Sequence, residues 1–124
     1  MQKLNLNVLI EYDDERFNPK VLMNEPGYRM VLLSMRAGQR IPEHASKGTV
    51  TMQAILGHIT LFAGPFPDEL HAGQVICIES GVRHRIEAFE DSALLVLFRR
   101  YELHYGVDRR TGLVRGSETT APLV

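Results

Sequence analysis

The sequence predicts an all-β domain, a sandwich or closed barrel of antiparallel strands, and two observations carry that prediction. Short runs rich in Val, Ile, Leu and Phe recur along the chain at short spacings, each bounded by turn residues. No convincing amphipathic helix competes with them for a core. At 124 residues the chain fits one domain with one hydrophobic core, and no internal repeat of fixed period is evident.

Taken in order, the N-terminal LNLNVLIEY (4–12) reads as an apolar-enriched terminal strand that needs an edge to pair with. The segment from Glu11 to Asn24 turns from polar to apolar and reads as a loop feeding an outer strand. Strands follow at YRMVLLSM (28–35), TVTMQAIL (49–56), HITLFA (58–63), QVICIE (74–79), HRIEAFE (84–90) and SALLVLFRRY (92–101). The breaks fall at Glu25-Pro26-Gly27, Ala37-Gly38, Gly57, Gly64-Pro65, Ala72-Gly73, Ser80-Gly81 and Glu90-Asp91. Pro19, Pro26 and Pro42 lie between runs or at their ends, where a missing N–H costs no ladder bond. After Tyr101 a hairpin is expected around Asp108 to Gly112, and GSETTAPLV reads as a loose tail. The expected organisation is a barrel over 1–100 and a C-terminal extension over 101–124.

Composition narrows the function. Hydrophobic residues make up 44% and charged residues 23%, and the net charge is −1, so no overall field recruits nucleic acid or an anionic membrane. Arg109-Arg110 reads as a charged loop, with no aromatic platform beside it for bases. Cys77 is alone, which fits a reducing compartment, and in VICI it reads as a small buried hydrophobe. No apolar run suits a signal peptide or a bilayer span, so a cytoplasmic location is expected. There is no G-x-S-x-G elbow, no phosphate-cradling glycine loop and no H-E-x-x-H helix. The acidic residues Asp13, Asp14, Glu15, Glu90 and Asp91 cluster in predicted loops, so any chemistry must come from a pocket within the barrel.

At Gly38 the spacing becomes specific. Gly38, five residues, His44, then Ser46, Val50 and Gly57 follow the rhythm G-x5-H-x-H-x3-E-x6-G. Gly73, five residues, Glu79, Gly81, His84 and Ala88 follow G-x5-P-x-G-x2-H-x3-N. These are the two motifs of the cupin superfamily, and the chain resembles a small, single-domain bacterial cupin (an RmlC-like jelly-roll barrel) with a degenerate first motif. Motif one covers 38–57 and motif two 73–88; six of their ten anchor positions match without a gap. Four glycines at set positions, at about 7% each, arise by chance on the order of once in 10⁵. Gly57 then serves a sharp reversal, and Gly81 the tight turn that presents His84 at a strand start.

The resemblance implies a divalent metal, Fe, Mn, Ni or Zn, held by two His and a Glu of motif one and the His of motif two. His44 and His84 match that set; Ser46 and Val50 depart from it, and Val50 cannot ligate. Gln53 is the most plausible replacement ligand. Strand alternation sets it on the face opposite Val50, Met52 and Ala54, unless a bulge, or a longer motif gap that places Thr51 at the ligand position, turns it inward. Ser46, Val50, Met52 and His58 are expected to line the pocket, whereas His71 and His104 match no motif position. The alternative for His44 and His84 is a pair of hydrogen-bonded pocket histidines that contact a small molecule without metal. Met30, Met35 and Met52 read as core. Arg83 and Arg85 read as polar positions on a half-exposed sheet, with Glu87 to neutralise them, rather than as ligand contacts.

The resulting expectation is a cupin-fold protein that binds a divalent metal, a small-molecule ligand, or both, in the barrel pocket. A metal-dependent enzyme of dioxygenase or isomerase type with an altered ligand set is one alternative. A metal-free sensing or structural barrel is the other. The family resemblance also implies a homodimer, with the N-terminal strand exchanged.

Overall fold

The computed structural model describes residues 1–99 and one short strand pair beyond them, Gly106–Val107 with Val114–Arg115. That pair is antiparallel and brackets the expected hairpin. Arg100 and the rest of the C-terminal extension, with His104, Arg109, Arg110 and the tail, lie outside the described residues.

Within residues 1–99 one short helix, α1 (Leu6–Leu9), precedes nine strands. These are β1 (Asn18–Glu25), β2 (Tyr28–Met35), β3 (Arg40–His44), β4 (Val50–Leu56), β5 (His58–Phe62), β6 (Pro67–His71), β7 (Val75–Ile78), β8 (His84–Ala88) and β9 (Ser92–Arg99). They form a five-stranded sheet ordered β1-β2-β9-β4-β7 and a four-stranded sheet ordered β3-β8-β5-β6, paired antiparallel throughout. Alternation along each strand supplies the core between them. Leu33, Met35, Met52, Ala54, Leu94 and Val96 pack from one sheet against Ile59, Leu61, Leu70, Ile86 and Ala88 from the other.

The six strands expected from the sequence are present, and three more join them: β1, β3 and β6. Each of these three lies at the edge of a sheet and each carries a proline, Pro19, Pro42 or Pro67. A proline interrupts a strand signal but is tolerated at an edge, where it also blunts pairing with other chains.

The expected N-terminal strand is not one. Residues 6–9 form the single turn of α1, and the segment folds back over its own five-stranded sheet. Lys20 Nζ donates to the Leu9 carbonyl (3.0 Å) and pairs with Glu11 (3.2 Å), while the Glu11 N–H donates to Ser34 Oγ (3.2 Å). Ser34 points to the outer face of the sheet and is nonetheless buried, as is its neighbour on that face, Leu32. These bonds fasten the segment to β1 and β2 without a strand partner.

One turn fixes the lower end of the barrel. Gly57 joins β4 to β5 with φ of +81°. A Cβ there would run into the Asp91 carbonyl and Ser92 Oγ of the β8–β9 turn. Only glycine combines that backbone with so close an approach.

Candidate ligand site in the barrel

The opposite end of the barrel carries the two motif histidines. His44 ends β3, His84 begins β8, and the two are direct partners across the antiparallel ladder. The ladder is irregular between Ile41 and His44, where Pro42 sits. The freed Pro42 carbonyl accepts a hydrogen bond from His44 Nδ1 at 2.8 Å. The Val82 carbonyl does the same for His84 Nδ1 at 2.9 Å. Gly81, with φ of +82°, makes the turn before β8, and its N–H donates to the Ser46 carbonyl (2.8 Å), which fastens the two histidine-bearing loops together.

These bonds set the chemistry of the rings. A carbonyl can only accept, so each Nδ1 carries the proton, and in a neutral ring Nε2 then presents its lone pair. Burial holds the His84 imidazole below its ordinary pKa, the Val82 bond opposes that shift, and the neighbouring His44 adds to it. His84 therefore stands neutral at pH 7, with Nε2 an acceptor. The ring centroids of His44 and His84 are 4.3 Å apart and their planes are inclined by 57°.

Both rings line a cavity of about 170 Å³ between the sheets. Its walls are otherwise mostly apolar: Val31, Leu33, Val50, Met52, Val96 and Phe98 from the five-stranded sheet, Ile41 and Ile86 from the other, and Phe17 and Pro19 at one side. The exception is Arg29, which lies in one cross-strand row with Phe98 and Val50. Its guanidinium carbon is 5.6 Å from the centre of the Phe98 ring, a cation–π contact. A wider hollow of about 560 Å³ lies on the outer face of the five-stranded sheet, along Tyr28, Met30, Thr51, Cys77 and Leu97. It holds no histidine and is not enclosed between the sheets.

No family model matches the chain, and no curated protein is matched either. Solved structures are similar throughout the barrel. A conserved protein of unknown function from Streptococcus pyogenes superposes with a TM-score of 0.74 at 20% identity, over 82% of this chain and 89% of that one. A cupin superfamily protein from Desulfitobacterium hafniense gives 0.72 at 18% identity, over 77% and 88% of the two chains. An RmlC-like cupin protein from Desulfovibrio desulfuricans gives 0.72 at 23% identity, over 78% and 94%. The chain has the cupin fold. At these identities the likeness establishes the cupin architecture alone, and function has to be argued from the site.

Within the cupin barrel, His44, His84, Val50 and Met52 line the cavity. Gln53 does not. It lies on the outer face with Thr51, opposite Val75 and Leu95, because β4 alternates regularly as far as Ala54. The one irregularity against β9 falls between Ala54 and Leu56, too late to turn Gln53 inward. Ser46 is buried but is not a wall of the cavity; its Oγ has no hydrogen-bond partner among the described residues. His58 is placed at the other end of the barrel, on the outside. There its Nε2 lies 2.5 Å from Glu69 Oε2 and its ring stacks on His71 at 4.0 Å. It pairs outward because Ile59 and Leu61 take the inner face of β5.

Three further expectations are corrected. Cys77 is exposed, on the outer face with its Sγ 3.7 Å from Thr51 Oγ1, since Ile76 and Ile78 take the inner side of β7. Met30 shares that outer face with Tyr28, whereas Met35 and Met52 are core. Arg83 pairs with Glu43 (3.1 Å) rather than Glu87; Arg85 pairs with Glu87 (2.9 Å) and lies over Phe62, so both are surface positions, as expected. Arg29 was not an expected site residue. The available signal was parity: Arg29 alternates in step with Val31, Leu33 and Met35. A continuous apolar strand hides which of its faces is the inner one.

The donor set does not fit the metal that the cupin resemblance implies. Catalytic sites usually supply three protein ligands to such a cation. Here two imidazoles converge, the Glu position is Val50, the second His position is Ser46, and Gln53 faces away. Among the described residues no group of three His, Cys, Asp or Glu side chains is arranged to hold a metal.

Proposed function

We propose that this cupin barrel binds a small organic molecule in the cavity between its sheets, with His44 and His84 as paired polar anchors and no resident metal. The observation that carries this reading is the backbone tether on each ring. With both Nδ1 atoms engaged by the carbonyls of Pro42 and Val82, both Nε2 atoms remain to meet a ligand. A neutral imidazole held this way, as at His84, accepts a hydrogen bond from a hydroxyl or amine, while the surrounding Val, Ile, Met and Phe side chains bury an apolar body. The volume of about 170 Å³ lies below the roughly 300–1,000 Å³ of pockets for drug-sized ligands, so the ligand class is small metabolites.

The exposed thiol of Cys77 suits a reducing compartment, and the cytoplasm is the proposed location.

The test is a nitrogen-15 spectrum of the histidine rings, titrated with a library of small polar metabolites. Binding in the cavity moves the Nε2 signals of His44 and His84 and leaves those of His58 and His71 in place. Ligands that bind without moving either of the first pair would refute the reading.

A further inference from the structure

The arrangement of Arg29 against the histidine pair specifies the ligand more closely, on the footing that the cavity is a small-molecule site. Arg29 occupies the outermost cavity row of the five-stranded sheet, in register with Phe98, which is in turn in register with Val50. His44 and His84 occupy the outermost row of the facing sheet, and Ile41 paired with Ile86 forms the row beneath them. Beneath Arg29 the next rows are Val31 with Val96 and Met52, then Leu33 with Leu94 and Ala54. The charged and hydrogen-bonding side chains of the cavity are thus confined to one end, and the rows below them are apolar.

We infer that the ligand is a small amphipathic carboxylic acid, seated with its apolar end down among Val31, Leu33, Ile86 and Val96 and its carboxylate at Arg29. A guanidinium presents five N–H donors in a planar fork that matches a carboxylate. The contact with Phe98 keeps the guanidinium beside the cavity wall that this ring forms. None of the described residues that line the cavity is acidic. The His84 Nε2 acceptor on the facing sheet favours a hydroxyl on the same molecule. A hydroxy acid satisfies both walls, and an amide or alcohol of the same shape satisfies only the histidine side.

Matched pairs of probes test this: benzoate with benzamide, 3-methylbutanoate with 3-methylbutanamide, and 3-hydroxybenzoate with 3-hydroxybenzamide. Each is titrated into the full chain while the histidine ring signals are followed. The acids are expected to bind about ten- to a hundredfold more tightly than their amides, the range of a hydrogen bond to a charged group. Arg29→Gln is expected to abolish that preference and Arg29→Lys to keep part of it, both with a native dispersion of amide signals. Acids and amides binding equally, or a preference that survives in Arg29→Gln, would overturn the role of Arg29 while leaving the cavity reading intact. An Arg29→Gln chain that does not fold passes the decision to Arg29→Lys, where a wholly unchanged ratio would overturn the inference. Probes of both kinds leaving the His44 and His84 signals unmoved at millimolar concentration would overturn the cavity reading and this inference with it.

Discussion

His44 and His84 face one another across the β3–β8 ladder, their ring centroids 4.3 Å apart, and each gives its Nδ1–H to the backbone carbonyl two residues before it. The pairing joins motif one to motif two through a single pair of adjacent strands. It also means that either ring can be removed without disturbing the tether of the other.

Removal of each ring has a different expected cost. His84 is fully buried and packs at the head of β8, so His84→Ala leaves a void and the Val82 carbonyl without its donor. A loss of about 2–4 kcal/mol is expected. His44 is half-buried, and His44→Ala is expected to cost about 1 kcal/mol or less. Urea denaturation of the two variants measures both, and an equal loss would contradict the assigned burial.

Acidification is expected to destabilise the fold through His84. Its pKa in the folded chain lies below the ordinary value of 6.5, chiefly through burial. Between the folded and unfolded values the unfolded chain binds more protons, so stability rises with pH across that window. Stability is therefore full above about pH 6.5 and falls as pH drops through that value, levelling off below the folded pKa. In His84→Gln this part of the slope is expected to vanish, which paired urea titrations at several pH values would reveal.

The two turn glycines separate backbone conformation from close approach. Gly81→Ala meets only the left-handed backbone, since no atom lies within 4 Å of the new Cβ, and about 1–2 kcal/mol is expected. Gly57→Ala meets that penalty and a collision with Asp91 and Ser92 as well, so a loss above about 3 kcal/mol is expected. Comparable melting temperatures for the two variants would contradict the docking of one turn on the other.

Val50 faces the cavity at the position where the metal-binding motif has Glu, whereas Gln53 faces out. Val50→Glu is therefore expected to create a two-histidine, one-carboxylate set that retains added divalent metal through dialysis. Gln53→Ala in that background is expected to change nothing. Metal retention lost with Gln53 would contradict the facing of β4.

How much of this was legible in the sequence follows from where each residue sits. Interior strands such as β2, β4 and β9 are long and apolar, and their limits follow from the turn residues around them. The edge strands β3 and β6 offer the core little beyond Ile41 and Leu70 and are interrupted by Pro42 and Pro67, so pattern alone passes over them. His44 and His84 were legible because the glycine spacing fixes both to strand ends. The facing of Arg29 and Cys77 was not. Each sits in an apolar run whose two faces look alike until the opposite sheet is in place. The helix at Leu6–Leu9 falls in an apolar-enriched run that local pattern assigns to a strand.

The most direct measurement of the central claim is elemental analysis of untagged protein after incubation with Fe, Mn, Ni or Zn salts and exhaustive dialysis, with His44→Ala and His84→Ala alongside. A metal content far below one ion per chain, the same in all three proteins, is the expected result. Near-stoichiometric metal in the wild type, lost in both variants, would contradict it and restore the barrel as a metal centre built on His44 and His84.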